Sequence, residues 1–319
     1  MHEGNQRLSL QRLKVWEEYK YGMFIHFGMS TFVESEFPSG NDLSELYAPD
    51  CLDVDQWIRV ARDAGMKYAI LCSKHTSGHC LWPSKYTDYH VGTSGNKTDV
   101  VREFMAACQK YNIQPGIYYC SWDNHHLYGS LTPNSPNGSW QDAYVTEEYI
   151  EFQEAQITEL FTTYAGIKEF WLDIPKFIPA GVRRRWYKKF TAMNPDMVYV
   201  SNNGISDGNI LSVNDTWPTD IVTIEKTIPS SITGYNKWKQ IEGDNYYLPG
   251  EVCDTISKEW FYVENDTVKS DNELLGLYLL ATSRGTNLLL DVPPDRHGVI
   301  TKEHVNALLR LRANIDLLG

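Results

Sequence analysis

The chain has 319 residues, 42% hydrophobic and 22% charged, an ordinary globular composition with room for one large domain or two small ones. Its net charge of -12 argues against nucleic acid as a partner and against a basic membrane-binding patch. No apolar run approaches the ~18 residues that cross a bilayer, and the N-terminus has no signal-type apolar core; the protein is expected in the cytoplasm or, if a signal peptide has been removed, in the periplasm or outside.

Residues 8–19 set Leu10, Leu13 and Trp16 at helical spacing and predict a covering helix. The run YGMFIHFG at 21–28 reads as a buried strand with His26 at its end, where a ligand role and a hydrogen-bonded core role are equally open. Residues 31–49 read as a loop carrying the pair Glu36-Phe37. An amphipathic helix follows at 52–64, with Trp57, Ile58 and Ala61 on one side and Gly65 as its stop. The second strand, at 67–73, runs into KHTSGHCLW at 74–82, which brings His75, His79 and Trp82. A helix at 99–111 leads to a third strand at 113–120, which ends in SWDNHH, with Trp122 and His125. Residues 127–142 are turn-rich, and 145–164 predict a long amphipathic helix.

The run GIKEFWLDIP at 166–175 is the centre of the pattern. Ile167, Phe170, Trp171 and Leu172 favour a packed strand, Asp173 arrives where the apolar run ends, and Pro175 stops the strand. Taken alone, Asp173 could equally cap a helix or sit in a solvated loop. Beyond it the chain is less regular: a helix at 183–193, strands at 197–201 and 220–224, then Glu225, a tyrosine-rich turn region at 229–250, the EVCD stretch at 251–254, an apolar helix at 273–282, a strand at 287–292 and a closing helix at 302–311. Alternating strands and helices mean parallel strands with crossovers. No glycine-rich phosphate loop follows any strand, so a dinucleotide fold is not expected, and no cofactor is. Polar clusters at successive strand ends predict an α/β fold, a (β/α)8-like TIM barrel irregular in its second half. The whole chain, 1–319, is expected to be a single catalytic barrel domain without a C-terminal β-sandwich.

The strand-end set is His26, His75, Trp122, His125, Asp173, Glu225 and Glu251. His75 and His79 are four apart, but the intervening Thr-Ser-Gly opposes the helix that would bring them together, so no metal site is expected. The six cysteines show no metal-ligand spacing and are expected to be mainly free thiols. Two carboxylates across a cleft lined with His, Tyr and Trp suit glycoside hydrolysis, one ionised and the other holding a proton.

These segments resemble the α-L-fucosidases, family 29 of the glycoside hydrolases. The resemblance lies in KYGMFIHFG at 20–28, AGMKYAILCSKH at 64–75, GHCLWPSKYTDY at 78–89, GIYYCSWD at 116–123 and NLLLDVPPD at 287–295, in family order along nearly the whole chain. It implies a retaining exo-acting enzyme that takes terminal α-L-fucosyl residues from fucosylated glycans, with Asp173 as nucleophile. It implies sugar binding by His26, by His75 and by Glu36-Phe37, with Phe where the family has Trp, and it aligns Trp122 with an aromatic of the third-strand motif. His79, Trp82, His125 and Trp171 complete the expected binding set. Two family motifs nominate an acid/base: DIVTIE at 220–225 gives Glu225, which is preferred, and EVCDTI at 251–256 gives Glu251. The chain departs from the family at Thr76, where a sugar-binding His is usual, and at Ile174, where Gly usually follows the nucleophile. Two alternatives stay open: a related glycosidase acting on α-L-galactose or a substituted fucose, and a sugar-binding barrel without turnover.

Overall fold

The apolar runs of the sequence become the strands of a barrel in the computed structural model, which describes residues 4–126, 145–202, 204, 210–230 and 234–318. In chain order the strands are β1 (Tyr21–Ile25), β2 (Tyr68–Lys74), β3 (Gln114–Cys120), β4 (Glu169–Asp173), β5 (Val198–Ser201), β6 (Val222–Glu225), β7 (Trp238–Ile241), β8 (Asp244–Tyr247), β9 (Gly250–Thr255) and β10 (Thr286–Asp291). Eight of them lie in the order β5-β4-β3-β2-β1-β10-β9-β6, and every neighbouring pair is parallel. The ring is nearly closed, with one unsealed seam between β5 and β6. Across it the Asp220 N–H donates to the Tyr199 carbonyl at 2.8 Å, and the Asp220 carboxylate accepts from the Tyr199 N–H at 2.8 Å. A side-chain clasp thus stands where a ladder would run.

Helices form the outer layer: α1 (Leu10–Glu17), α2 (Met29–Val33), α3 (Val54–Asp63), α4 (Val100–Tyr111), α5 (Glu147–Thr163), α6 (Ala180–Met193), α7 (Ile210–Thr216), α8 (Asp271–Ser283) and α9 (Lys302–Leu317). Their starts are fixed by short polar side chains that accept from backbone N–H groups: Asp53 before α3, Asp99 before α4, Thr146 before α5 and Thr301 before α9. Such caps are worth about 1 kcal/mol each. Ser270 and Glu273 make a reciprocal capping box on α8.

Strand alternation sorts the core into two clusters. Met23, Ile25, Ala69, Leu71, Ile117, Phe170, Leu172, Val252, Leu288 and Leu290 face outward onto the helices. Phe24, Ile70, Cys72, Tyr118, Cys120, Trp171, Val198, Cys253 and Leu289 fill the barrel interior, with Trp16 of α1 joining at its N-terminal end. The six cysteines are unpaired and only Cys51 is exposed.

Seven barrel strands lie where the sequence predicts strands. The eighth, β9, covers the stretch 251–254, for which the sequence predicts no strand. The turn-rich region 229–250 holds the antiparallel hairpin β7–β8, and its reversal is made by Glu242 and Gly243, both at positive φ. Part of the expected loop 31–49 is helical in α2. The turn-rich segment 127–142 lies outside the described residues.

Candidate active site

Inward residues recur every second position, so each strand presents a short stack of side chains to the barrel axis. On β4 the stack is Glu169, Trp171 and Asp173. Asp173 ends β4, Glu225 ends β6, and both line one hollow at the C-terminal rim. The hollow has an outer part of about 360 Å³ and a narrow inner end of about 50 Å³. Glu36, His75 and Asn202 line both parts; His26, Phe24, Tyr118, Trp171 and Trp260 line the inner end.

The two carboxyls have different surroundings. Asp173 accepts from the Tyr118 hydroxyl at 2.5 Å and from the Asn202 amide at 2.6 Å, and the Ile174 backbone N–H adds a third donor. Burial pushes its pKa up and these donors pull it back, leaving it above the ordinary range. Thr223 donates to the Asn202 carbonyl oxygen at 2.6 Å, which turns the amide N–H₂ toward Asp173. Glu225 is lifted to about 7, first by burial and then by the negative charge of Asp173. Near neutrality one carboxyl therefore holds a proton beside another whose charged form is hydrogen-bonded.

The histidines of the hollow are neutral. Burial lowers His26 to about 3 and His75 well below its ordinary value. His26 Nδ1 shares a 2.7 Å hydrogen bond with Asp291 Oδ1, which pins the ring. His75 stacks on Tyr118, with ring centroids 5.8 Å apart. Glu36 is raised by burial. Phe37, half exposed, stands in the wall of the outer part.

Each rim carboxyl is followed by a left-handed residue other than glycine: Ile174 at φ 50 and Lys226 at φ 48. A β-branched residue there is an outlier, at a cost of about 1–3 kcal/mol. Lys226 lays its ammonium over the Trp260 ring, 4.9 Å from the centroid.

Four of the sugar-binding residues expected from the sequence lie outside the described lining of this hollow. His79 is buried against Tyr47 and Tyr89 and shares a hydrogen bond with Ser94 Oγ at 2.8 Å. Trp82 is in the outer core, where its indole donates to Glu159 of α5 at 2.8 Å. Trp122 donates to Asn124 at 2.6 Å. His125 stacks on Tyr89 at 3.9 Å and shares a hydrogen bond with the Gly40 carbonyl at 2.8 Å, so it braces loops. A side chain at Gly40 would meet the His125 backbone nitrogen at 2.3 Å.

Glu251 is placed differently from the strand end where the sequence put it. It is the second residue of β9, fully buried. Tyr68 donates to it at 2.8 Å and Trp171 at 3.1 Å. Its neighbour is Glu169, which accepts from Trp16 at 2.8 Å. Burial raises both; the negative charge of Glu251 raises Glu169 further, while a hydrogen bond from Glu169 pulls Glu251 back. Sequence reasoning also passed over Tyr118, Asn202, Trp260 and Asp291. Asn202 directly follows β5, a place comparable to that of Asp173 at the end of β4, but the strand before it is short and its end weakly marked. Among the described residues no group of three or more His, Cys, Asp or Glu is arranged to hold a metal ion.

A family model described as alpha-L-fucosidase matches residues 35–316. Alpha-L-fucosidase 1 of Arabidopsis thaliana is 32% identical over 94% of this chain, which spans 58% of that relative. A rice relative is 30% identical, and the chain spans 56% of it. The chain therefore spans little more than half the length of these plant relatives. Among solved structures, alpha-L-fucosidase isoenzyme 1 from Paenibacillus thiaminolyticus aligns with TM-score 0.79 and 24% identity over 96% of this chain and 75% of its own. Alpha-L-fucosidase AlfC from Lactobacillus casei, in complex with its alpha-L-fucose product, aligns with TM-score 0.78 and 20% identity over 97% of this chain and 98% of its own. These two likenesses bear on the fold.

Proposed function

The chain belongs to the α-L-fucosidase family, family 29 of the glycoside hydrolases, and from that premise we propose that it removes terminal α-L-fucosyl residues from glycans with retention of configuration. The observation that carries the reading is the unequal pair on one hollow: Asp173 with three donors on its carboxyl, and Glu225 lifted to about 7. In the first step the Asp173 carboxylate bonds to the anomeric carbon while the Glu225 proton passes to the departing glycosidic oxygen. Once Asp173 is an ester its negative charge is gone. The Coulombic part of the Glu225 shift goes with it, and Glu225 becomes easier to keep ionised. In the second step Glu225 takes a proton from water, the water oxygen bonds to the anomeric carbon, and the Asp173 carboxylate is released. Neutral His26 and His75, with Glu36, hold sugar hydroxyls at the inner end.

Glu251 has no part in proton transfer in this scheme, because it lies in the barrel interior with both oxygens engaged by indole and phenol donors. Replacing Asp173 with Ala tests the reading. Turnover of an aryl α-L-fucoside should fall by roughly 10⁴-fold or more, with the circular dichroism spectrum unchanged. Full activity in that variant, or a product released as the inverted anomer, would sink it.

A further inference from the structure

We propose that Ile174 is a specificity-determining residue, whose side chain selects leaving groups that present an apolar face, such as the C–H face of a second pyranose. The inference rests on the hydrolase reading above. The left-handed turn at Ile174 has one evident task, to bring a backbone N–H to the Asp173 carboxyl. A backbone alone performs it, and glycine performs it without strain. Isoleucine is unfavourable there twice over, being β-branched at positive φ and placed directly before Pro175. A strained side chain in the wall of a site points to a use for that side chain.

Its position says which use. Ile174 lines the outer part of the hollow and is absent from the described lining of the inner end. The inner end is narrow and lined by Trp171, Phe24 and other side chains of the barrel interior, so the sugar that reacts enters first and the leaving group stays outside. Among the described residues of the outer wall, Ile174 and Phe37 are the apolar side chains; Lys176 and Asp215, paired at 3.2 Å, and Thr216 supply polarity. Packing alone accounts for only one side of Ile174, which is partly buried against the barrel interior. Its other side is free to meet the leaving group.

The test compares α-L-fucosyl fluoride, whose leaving group ends near the anomeric carbon, with a fucosyl disaccharide. The quantity read is the ratio of kcat/KM on the disaccharide to that on the fluoride. Ile174→Ala should lower this ratio about tenfold, and Ile174→Val, which keeps the branched wall, should hold it within about twofold. A ratio unmoved by Ile174→Ala, or an equal loss on both substrates as expected from a displaced nucleophile, overturns the proposal while leaving the hydrolase reading in place. If the unsubstituted protein turns over neither substrate, the hydrolase reading fails and this inference fails with it.

Discussion

Strand β4 carries a carboxyl at each end, and each belongs to a pair. At the C-terminal rim Asp173 shares a hollow with Glu225. At the other end of the same interior Glu169 stands against Glu251, beneath Trp16 of α1. Both pairs are raised, and both draw on aromatic donors; Asp173, Glu169 and Glu251 are buried, and Glu225 is partly buried. They differ in access. The rim pair borders open volume, so a reacting atom can come between its members. The hydrogen bonds of the inner pair stay within the protein: Trp16, Tyr68 and Trp171 donate to it, and the two carboxyls bond to each other. A raised carboxyl is thus a proton donor only where a substrate can reach it; elsewhere it is a way of keeping two acids in an apolar core.

The largest separation between the two pairs should come from matched amide substitutions. Glu225→Gln should cost about 10²–10⁴-fold in kcat/KM on a substrate with a poor leaving group, and less on an activated aryl fucoside that needs no proton. It should also remove the alkaline limb that a general acid lifted to about 7 gives the unsubstituted protein. Glu251→Gln should leave activity within about tenfold and keep that limb. Steady-state rates across pH check both, and a Glu251→Gln variant as crippled as Glu225→Gln would erase the distinction.

Truncation should reverse the order of harm. Glu251→Ala strands the Tyr68 hydroxyl and the Trp171 indole N–H without their acceptor, and each buried unsatisfied donor costs about 1–3 kcal/mol. Denaturant unfolding should therefore show a loss of about 2–5 kcal/mol. Asp173→Ala should cost less stability than this, because Asp173 borders the hollow, where water can take over its hydrogen bonds from Tyr118 and Asn202. Equal losses in the two variants would mean that access does not distinguish the pairs.

Much of the rim was legible in the sequence. Asp173 closes an apolar run and precedes a proline, which marks a strand end facing a loop, and His26 and His75 end their runs in the same way. Glu225 was legible through its motif and stands at the end of β6. Glu251 was misplaced because β9 was not recognised. Its inward positions carry Glu251 and Cys253, so it lacks the apolar run that betrayed the other strands. A buried acid is normal there only because a second acid, aromatic donors from two strands (Tyr68 of β2 and Trp171 of β4) and α1 come together around it, and none of these is near it in sequence. Asn202 escaped because four residues, Val198–Ser201, make a short strand whose end is weakly marked. Strand order and the seam beside β5 and β6 come from pairing across the ring and leave no local trace.

The smallest effect concerns pH and stability, and its sign is fixed by the inner pair. Burial raises Glu169 and Glu251 above the ordinary glutamate value of about 4.5, and the charge of Glu251 raises Glu169 further, so the folded protein keeps protons that the unfolded chain releases. The stability linked to them is fully present below that unfolded value. It is lost as pH rises through the raised folded values, at up to about 1.4 kcal/mol per pH unit for each proton. Glu225, Asp173, Glu36 and Asp291 act in the same direction and the buried His26, His75 and His79 in the opposite one, so the slope of the whole protein does not isolate the pair. Glu251→Gln does isolate it: the amide still accepts from one of the two donors, but one titrating member is gone and the repulsion on Glu169 goes with it. Thermal melts between about pH 5 and pH 8 should fall less steeply in Glu251→Gln than in the unsubstituted protein. Glu225→Gln should flatten the slope only below about pH 7, where Glu225 holds its proton, so an unchanged slope in Glu251→Gln would mean that the inner carboxyls do not share a retained proton.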